Sequence, residues 1–184
     1  MGHRLSKITT RTGDAGETGL GDGARVPKDA SRVVVLGDID ELNSAIGVVL
    51  ADEVPGELRA ALAQVQQDLF DLGGELSIPG HVMLSEPHVA GLEAHLEAWN
   101  ADLEPLKEFI LPGGTRAAAL AHLARPVCRR AERSLVALGR AEPVSEHARR
   151  YLNRLSDLLF VAGRMLNRHA GRPDVQWRHE RKKK

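Results

Sequence analysis

Apolar residues that recur every three or four positions constrain the fold of this chain more than any other feature. The clearest run lies between Pro55 and Ser77, where six such residues mark one buried helical face: Leu58, Leu62, Val65, Leu69, Leu72 and Leu76. Pro55 suits a first helical turn, and the Pro79-Gly80 pair stops the segment. No stretch alternates with period two over a useful length, so the pattern predicts helices and no extended sheet.

Four further helices are predicted: about Arg32–Leu50, with a β-branched first turn, a segment capped by Ser85, Arg116–Leu138 and Ser145–His169. A Pro-Gly-Gly linker within Glu108–Thr115 separates the third helix from the fourth. The predicted fold is therefore all-α, an antiparallel five-helix bundle over residues 31–170. A Gly-rich segment, residues 1–30, precedes it, and a flexible tail, residues 171–184, follows within one domain spanning residues 1–184.

The composition agrees with this fold class and excludes several functions. The 184 residues are 42% hydrophobic but only 3% aromatic, which favours a helical core of Leu, Val and Ala. A net charge of +0 argues against binding to nucleic acid or to a membrane surface, although the terminal run RHERKKK is basic. The single cysteine, Cys128, rules out an internal disulfide. Without a signal-peptide core or a long apolar run, a cytoplasmic location is expected.

The opening stretch TTRTGDAGETGLGDG, Thr9–Gly23, holds five glycines and almost nothing that packs in a core. One interpretation is a frayed terminus. The other is an anion-binding nest of backbone N–H groups, to which Lys28 adds a positive charge. The stretch is not a Walker A motif, because GxxxxGK[ST] and its strand–loop–helix context are both missing.

The fourth helix carries an unusual charged face in RPVCRRAER. Helical spacing places Arg125, Arg129, Glu132 and Arg133 side by side. The face is either solvated, with Glu132 as counter-ion, or it holds a polyphosphate, which guanidinium groups bind in bidentate fashion. Pro126 interrupts the backbone hydrogen bonds of the same helix.

Two other helices carry polar stripes. On the fifth helix the stripe comprises Asn153, Ser156, Asp157, Phe160 and Arg164, which point to water or to a ligand. On the first helix the acids Asp38, Asp40 and Glu41 lie close together. They either favour the helix macrodipole or pair with arginines of the fourth helix, within or between subunits.

Five ordered blocks, TRTGDAG, DELNSAIG, FILPGG, CRRAER and LNRLSDLLF, resemble the PduO-type ATP:cob(I)alamin adenosyltransferases, or corrinoid adenosyltransferases. The resemblance runs from Lys7 to the fifth helix. It implies a five-helix bundle that assembles as a homotrimer, with ATP at the subunit interfaces. It also implies a reaction in which cob(I)alamin attacks the ribose C5′ of ATP and gives adenosylcobalamin and triphosphate.

The resemblance assigns residues to ATP and Mg²⁺. The nucleotide loop is matched by Thr10, Arg11, Thr12, Gly13, Asp14 and Gly16. Lys28, Arg129, Arg133 and, less clearly matched, Arg130 would face the phosphates. Glu132 and Asn153 would position the nucleotide and its Mg²⁺, with Glu132 as the metal ligand.

The resemblance also assigns residues to the corrinoid. Asp40 and Arg125 would form a salt bridge between neighbouring subunits beside the corrin ring. Phe109 would displace the lower axial ligand of cobalamin, which makes cobalt(I) easier to form. Ala15 departs from the family, because many members have lysine there, and this removes one charge directed at phosphate.

Two other functions fit the same residues. The first is a non-catalytic carrier that delivers adenosylcobalamin to a dependent mutase, and the second is a helical interaction module without nucleotide. For the enzyme, the implied partners are a mutase that accepts the product and a cob(II)alamin reductase.

Overall fold

The structure, a computed structural model, describes residues 9–178. Two short strands, β1 (Glu17–Gly19) and β2 (Arg25–Pro27), come first. Five helices follow: α1 (Ser31–Leu50), α2 (Gly56–Ser77), α3 (Glu86–Ala101), α4 (Arg116–Leu138) and α5 (Glu146–His169). The prediction of an all-α, five-helix bundle is confirmed, and the β-branched first turn of α1 is helical.

Consecutive helices run in opposite directions through the bundle. Arg32, near the start of α1, donates a hydrogen bond to the carbonyl of Leu76, near the end of α2, over 2.8 Å. Trp99, near the end of α3, donates one to Glu57, near the start of α2, over 3.0 Å. One end of the bundle therefore holds the starts of α1, α3 and α5, and the other holds the starts of α2 and α4. None of the helices within residues 9–178 is both long and apolar enough to cross a bilayer.

All five helices contribute to one buried core of mainly Leu, Val and Ala side chains. Some of the polar groups inside it are paired, as buried polar groups generally are. The Tyr151 hydroxyl donates to Asp68 over 2.8 Å, and the Cys128 thiol donates to the Leu152 carbonyl over 3.3 Å. Burial raises the pKa of both the Cys128 thiol and the Tyr151 hydroxyl.

Polar N-cap residues precede three of the helices, and Ser85 is the one predicted above as a cap. Ser85, Thr115 and Ser145 directly precede α3, α4 and α5. The Thr115 hydroxyl accepts a hydrogen bond from the Ala118 amide over 3.1 Å. The Ser145 hydroxyl likewise accepts from the Ala148 amide over 3.0 Å. A cap of this kind satisfies an amide that has no partner inside its helix and typically contributes about 1 kcal/mol to stability.

The sequence did not predict the β1–β2 hairpin, which pairs Thr18 with Val26 in antiparallel register. Strands of three residues are too short to show alternation, which explains why they were missed. The hairpin is attached to the bundle at the end of α2, where the Gly21 amide donates to the Ser77 carbonyl over 2.7 Å. A Cβ at Gly21 would approach Ile78 to 2.7 Å, so only glycine allows this contact.

The first part of the predicted tail is attached to the linker before α4. Ile110 and Gln176 form an isolated antiparallel bridge. The Leu111 amide donates to the Val175 carbonyl, and the Trp177 amide donates to the Phe109 carbonyl, each over 2.7 Å. The expectation of a free tail over residues 171–184 is therefore corrected for residues 175–177. Residues 179–184 of the basic run lie outside the described residues.

Candidate functional site

The charged face predicted on α4 is present. Arg129 and Arg133 are exposed, whereas Arg125 and Glu132 are partly buried. Arg133 donates to the backbone carbonyl of Arg129 over 3.1 Å. Among residues 9–178, no carboxylate forms an ion pair with Arg125, Arg129 or Arg133. Their charges therefore remain available to an anionic ligand.

Arg130 behaves differently from its neighbours, because it is paired within the chain. Its Nε donates to Asp38 over 3.2 Å, and its Nη2 contacts Glu41. These contacts join α4 to α1. They correspond to one of the two alternatives for the α1 acids, namely pairing with an arginine of α4. Arg130 is therefore less available for a phosphate than Arg129 or Arg133.

Asn153 of α5 and Glu132 of α4 are joined by a hydrogen bond. The Nδ2 of Asn153 donates to Oε1 of Glu132 over 3.0 Å, and Arg154 donates to Oδ1 of Asn153 over 2.6 Å. Glu132 therefore has a fixed carboxylate in the midst of the α4 arginines. No group of three or more His, Cys, Asp or Glu side chains within residues 9–178 is arranged to hold a metal ion by itself.

The opening loop has a defined conformation from residue 9 onward. Arg11 adopts a left-handed backbone conformation with φ of 59°, which is uncommon for a residue other than glycine. The hydroxyls of Thr10 and Thr12 lie 2.9 Å apart, and Arg25 donates to the Thr12 carbonyl over 2.8 Å. Arg25 was not identified from the sequence, because nothing in RVP signals that it organises the loop.

Lys28 closes over the loop at Gly13. A Cβ at Gly13 would lie 3.1 Å from the Lys28 ammonium, so glycine allows this approach. The Lys28 amide donates to the Gly16 carbonyl over 2.9 Å. Asp14 and Ala15 are exposed on the same loop. The structure thus brings the predicted lysine to the predicted glycine loop.

The loop and the α4 arginines do not contact each other within the described chain. No hydrogen bond or ion pair links residues 9–28 to Arg125, Arg129, Arg130 or Arg133. A nucleotide that binds to both elements must therefore bridge them, within one protomer or between two.

A groove of about 690 Å³ lies between the linker and the middle of α4 and α5. Its wall includes Phe109, His122, Arg125, Asp157 and Phe160. Phe109 is 75% exposed, so its ring is accessible to a ligand. The Arg125 guanidinium lies 5.5 Å from the centre of the Phe160 ring, a distance typical of cation–π contacts. The groove wall is mainly apolar, and charged side chains of both signs also line it.

His122 is a further residue of this groove that the sequence did not indicate, since it resembled a core position of α4. It is buried, its ring lies edge-on to Phe160, and its Nε2 has no hydrogen-bond partner among the described residues. A Cβ at Gly163 would lie 2.8 Å from this ring, so α5 approaches α4 closely here. Burial lowers the pKa of His122, nearby Asp174 partly opposes this, and Arg125 lowers the pKa further.

Asp40 and Arg125 are not paired within the chain. Asp40 is exposed, and it has no ion-pair partner within residues 9–178. The Nε atom of Arg125 is buried and has no hydrogen-bond partner in the described part of the chain. Arg125 as a whole is only partly buried, and it lines the groove described above.

Comparison with known proteins adds independent information. A sequence family described as "Cobalamin adenosyltransferase" matches residues 8–166. A protein named cobalamin adenosyltransferase from Cupriavidus metallidurans is 62% identical over 182 residues, covering 98% of this chain and 99% of that protein. A corrinoid adenosyltransferase from Bacillus subtilis is 47% identical, covering 93% of this chain and 92% of that protein.

Solved structures agree with these relatives. A variant of the PduO-type ATP:corrinoid adenosyltransferase from Lactobacillus reuteri, complexed with cobalamin and ATP, superposes with a TM-score of 0.88 at 35% identity. The match covers 94% of this chain and 100% of that one. Another variant of the same protein, complexed with ATP, has a TM-score of 0.89 at 35% identity and covers 93% of this chain and 100% of that one.

Proposed function

Because the chain belongs to the cobalamin adenosyltransferase family, which matches residues 8–166, we propose that it uses the α4 arginines and the Phe109 groove to bring ATP and a corrinoid together. It is an ATP:corrinoid adenosyltransferase. The cobalt(I) electron pair of cob(I)alamin attacks C5′ of ATP, and a cobalt–carbon bond forms. The C5′–O bond breaks, and its electron pair leaves with the triphosphate.

The arrangement of charges suits a reaction whose leaving group is a polyanion. Arg129 and Arg133 lack ion-pair partners among the described residues, and the loop that holds Gly13 and Lys28 adds backbone N–H groups and an ammonium. Donors of this kind stabilise negative charge most strongly where it accumulates in the transition state. We assign Thr10, Arg11, Thr12, Gly13, Asp14, Gly16, Lys28, Arg129 and Arg133 to the nucleotide. Arg130 receives a weaker assignment because of its pairs with α1.

The protein itself needs no nucleophile, because the substrate cobalt supplies it. This agrees with the buried thiol of Cys128, whose raised pKa keeps it protonated. The protein contributes by positioning the two substrates and by excluding water from the reacting atoms. The apolar ring of Phe109 is proposed to lie against the lower face of the corrinoid and to exclude both water and the cofactor's own base.

The residues present fit a Mg²⁺ ion that is held by one carboxylate together with substrate phosphates. Mg²⁺ in nucleotide sites is usually held by one or two carboxylates together with substrate phosphates, and an all-protein cage is uncommon. Glu132 offers one carboxylate, orientated by Asn153, among arginines proposed to bind phosphate. When bound, Mg²⁺ would neutralise charge on the triphosphate. We therefore propose Glu132 as its protein ligand.

We also propose a homotrimer with sites at subunit interfaces. The exposed Asp40 carboxylate and the partly exposed Arg125 side chain support this, since neither forms an ion pair within residues 9–178 and a neighbouring protomer can supply a partner to each. Four points remain predictions from the sequence: a cytoplasmic location, a single domain over residues 1–184, a cob(II)alamin reductase as partner and a mutase that accepts the product. Sedimentation of the protein with and without ATP would measure the oligomer.

An absorbance assay tests the activity directly. Cob(I)alamin prepared beforehand is mixed with protein, ATP and Mg²⁺, and we expect the spectrum of adenosylcobalamin with one triphosphate released per product. A carrier would bind adenosylcobalamin without forming it. An interaction module would leave the thermal midpoint unchanged by ATP, whereas a ligand that binds only the folded state must raise it. Absence of any adenosyl product would refute the assignment.

The role of Phe109 has a matched control two residues away. Phe109→Ala is expected to slow adenosylation most when the reaction starts from cob(II)alamin and a reductant, because the cobalt then keeps its lower ligand. Leu111→Ala removes a neighbouring apolar side chain that is 51% exposed and is expected to have little effect. Equal effects of the two substitutions would contradict the assignment.

A further inference from the structure

Phe109 is held in place by its backbone and hardly at all by its side chain. With three quarters of the residue exposed, few neighbours restrain the ring. The backbone is fixed because the Phe109 carbonyl accepts the Trp177 amide and the Leu111 amide donates to Val175, each over 2.7 Å. The linker and residues 175–177 thus form a two-stranded ribbon that carries Phe109.

One strand of this ribbon is anchored to α5 through Asp174. Its Oδ2 accepts the Arg164 Nε over 2.8 Å, and its Oδ1 accepts the Asn167 Nδ2 over 3.3 Å. The Arg164 and Asp174 side chains are only 6% and 15% exposed, so water screens this ion pair little. Arg164, expected from its place on the polar stripe to point to water or to a ligand, instead binds its own chain.

The same two residues of α5 hold both ends of the other strand. Arg164 donates from Nη2 to the Glu104 carbonyl over 2.7 Å. Asn167 donates to the Gly113 carbonyl over 3.1 Å and accepts the Thr115 amide over 2.9 Å. A Cβ at Gly114, where φ is 108°, would lie 2.0 Å from the Asn167 oxygen, so these contacts require glycine at this position. Arg164, Asn167 and Asp174 are together called the clamp.

We propose that Arg164, Asn167 and Asp174 are positioning residues for Phe109. The proposal rests on the function proposed above and deepens it. All three groups are buried and paired with one another or with backbone, so the ribbon has one defined path. If the clamp opened, Phe109 would lose its fixed position while the ATP-binding residues kept theirs. Displacements of about 1 Å at a reacting centre can reduce rates by roughly two orders of magnitude.

A purely structural clamp would predict a different result. Loss of Asp174 would then lower the thermal midpoint and reduce every activity in proportion. A positioning role predicts that the KM for ATP is retained, and that the loss is greatest when cob(II)alamin must first give up its lower ligand.

The test compares Asp174→Ala with Asp174→Asn, which keeps an acceptor oxygen but removes the charge. Glu86→Ala is the matched control, since it breaks the Arg150–Glu86 ion pair of 2.6 Å between α5 and α3 without touching the ribbon or the residues assigned to ATP. Hydrogen exchange of the Leu111 and Trp177 amides reports on the ribbon, and adenosylation from cob(II)alamin and from preformed cob(I)alamin reports on Phe109.

For Asp174→Ala we expect about tenfold faster exchange at the two amides. We also expect at least a tenfold loss of rate from cob(II)alamin, a smaller loss from preformed cob(I)alamin and a KM for ATP within about twofold. The spectrum of bound cob(II)alamin should retain its lower ligand. Asp174→Asn should show the same changes to a lesser extent, and Glu86→Ala none of them.

Unchanged exchange at Leu111 and Trp177 would overturn the proposal, and so would equal losses from both cobalamin forms or a matching rise in the KM for ATP. If Asp174→Ala does not fold, Asp174→Asn decides by the same criteria. A wild-type protein that makes no adenosylcobalamin would refute the proposed function, and with it the role of the clamp in that function. The exchange rates would still show whether the clamp itself exists.

Discussion

Asn153 and Glu132 are joined across two helices by a 3.0 Å hydrogen bond from the amide Nδ2 to the carboxylate Oε1. Arg154 donates to the other end of the same amide over 2.6 Å. The amide is therefore orientated by two contacts, and it in turn orientates the carboxylate. A carboxylate held in this way loses little conformational freedom when a ligand binds.

Glu132→Gln removes the negative charge of this side chain and keeps its shape. Glutamine retains an oxygen that accepts from Asn153, so the link between α4 and α5 should persist. We expect the Mg²⁺ concentration for half-maximal activity to rise about tenfold, because a charge-assisted contact of roughly 1.5 kcal/mol or more is lost. A titration of activity with Mg²⁺ measures it, and an unchanged Mg²⁺ dependence would count against Glu132 as the metal ligand.

Arg129→Ala should weaken the handling of ATP without weakening the fold. Arg129 is exposed and forms no ion pair in the described chain, so stability should change by less than about 0.5 kcal/mol. Loss of a phosphate contact should reduce kcat/KM for ATP roughly 10- to 100-fold. Arg140→Ala, an exposed arginine just beyond α4, is the control. Parallel losses of melting temperature and activity would argue for a structural role.

Ala15→Lys should restore a charge to the opening loop. Ala15 is exposed beside Gly16, so a longer side chain meets no obstacle there. We expect the KM for ATP to fall severalfold at low salt, and the gain to shrink at high salt as screening increases. Ala24→Lys, at an exposed position between β1 and β2, controls for general charge. An equal gain from both variants would indicate long-range attraction and no specific contact.

His122 should make the protein less stable in acid. Because the folded-state pKa is lowered, the unfolded chain binds a proton near pH 6.5 that the folded chain does not. The stability that the neutral ring contributes is therefore complete above about pH 6.5 and declines as the pH falls through the folded pKa. Denaturant unfolding at several pH values should give a shallower acid decline for His122→Gln than for wild type.

The helical bundle was predictable because the spacing of its apolar residues is a local pattern that repeats along each helix. Spacing and turn residues located α2, α4 and α5 to within about a residue, and Ser85 precedes α3 as predicted. The β1–β2 hairpin was missed, since three-residue strands carry no periodic signal.

The candidate site was predictable only in part, because tertiary packing decides which of its side chains form ion pairs with each other. The sequence could place Arg129, Arg130 and Arg133 on one helix, but not that Arg130 faces Asp38 and is paired. Arg164 looked like a solvated residue, and only the fold shows that α5 brings it to Asp174 in a buried ion pair. The contact proposed between Asp40 and Arg125 of neighbouring subunits would depend on the assembly, and a local sequence pattern does not encode it.

The buried Cys128 has a practical consequence for experiments on this protein. Its thiol is the only one in the chain, it is fully enclosed between α4 and α5, and its raised pKa leaves almost no thiolate at neutral pH. Maleimide reagents should therefore leave the native protein unmodified. A cysteine introduced at Ala15 or Gln176 would become the sole labelled position, and a fluorophore there could follow the loop or the ribbon in real time.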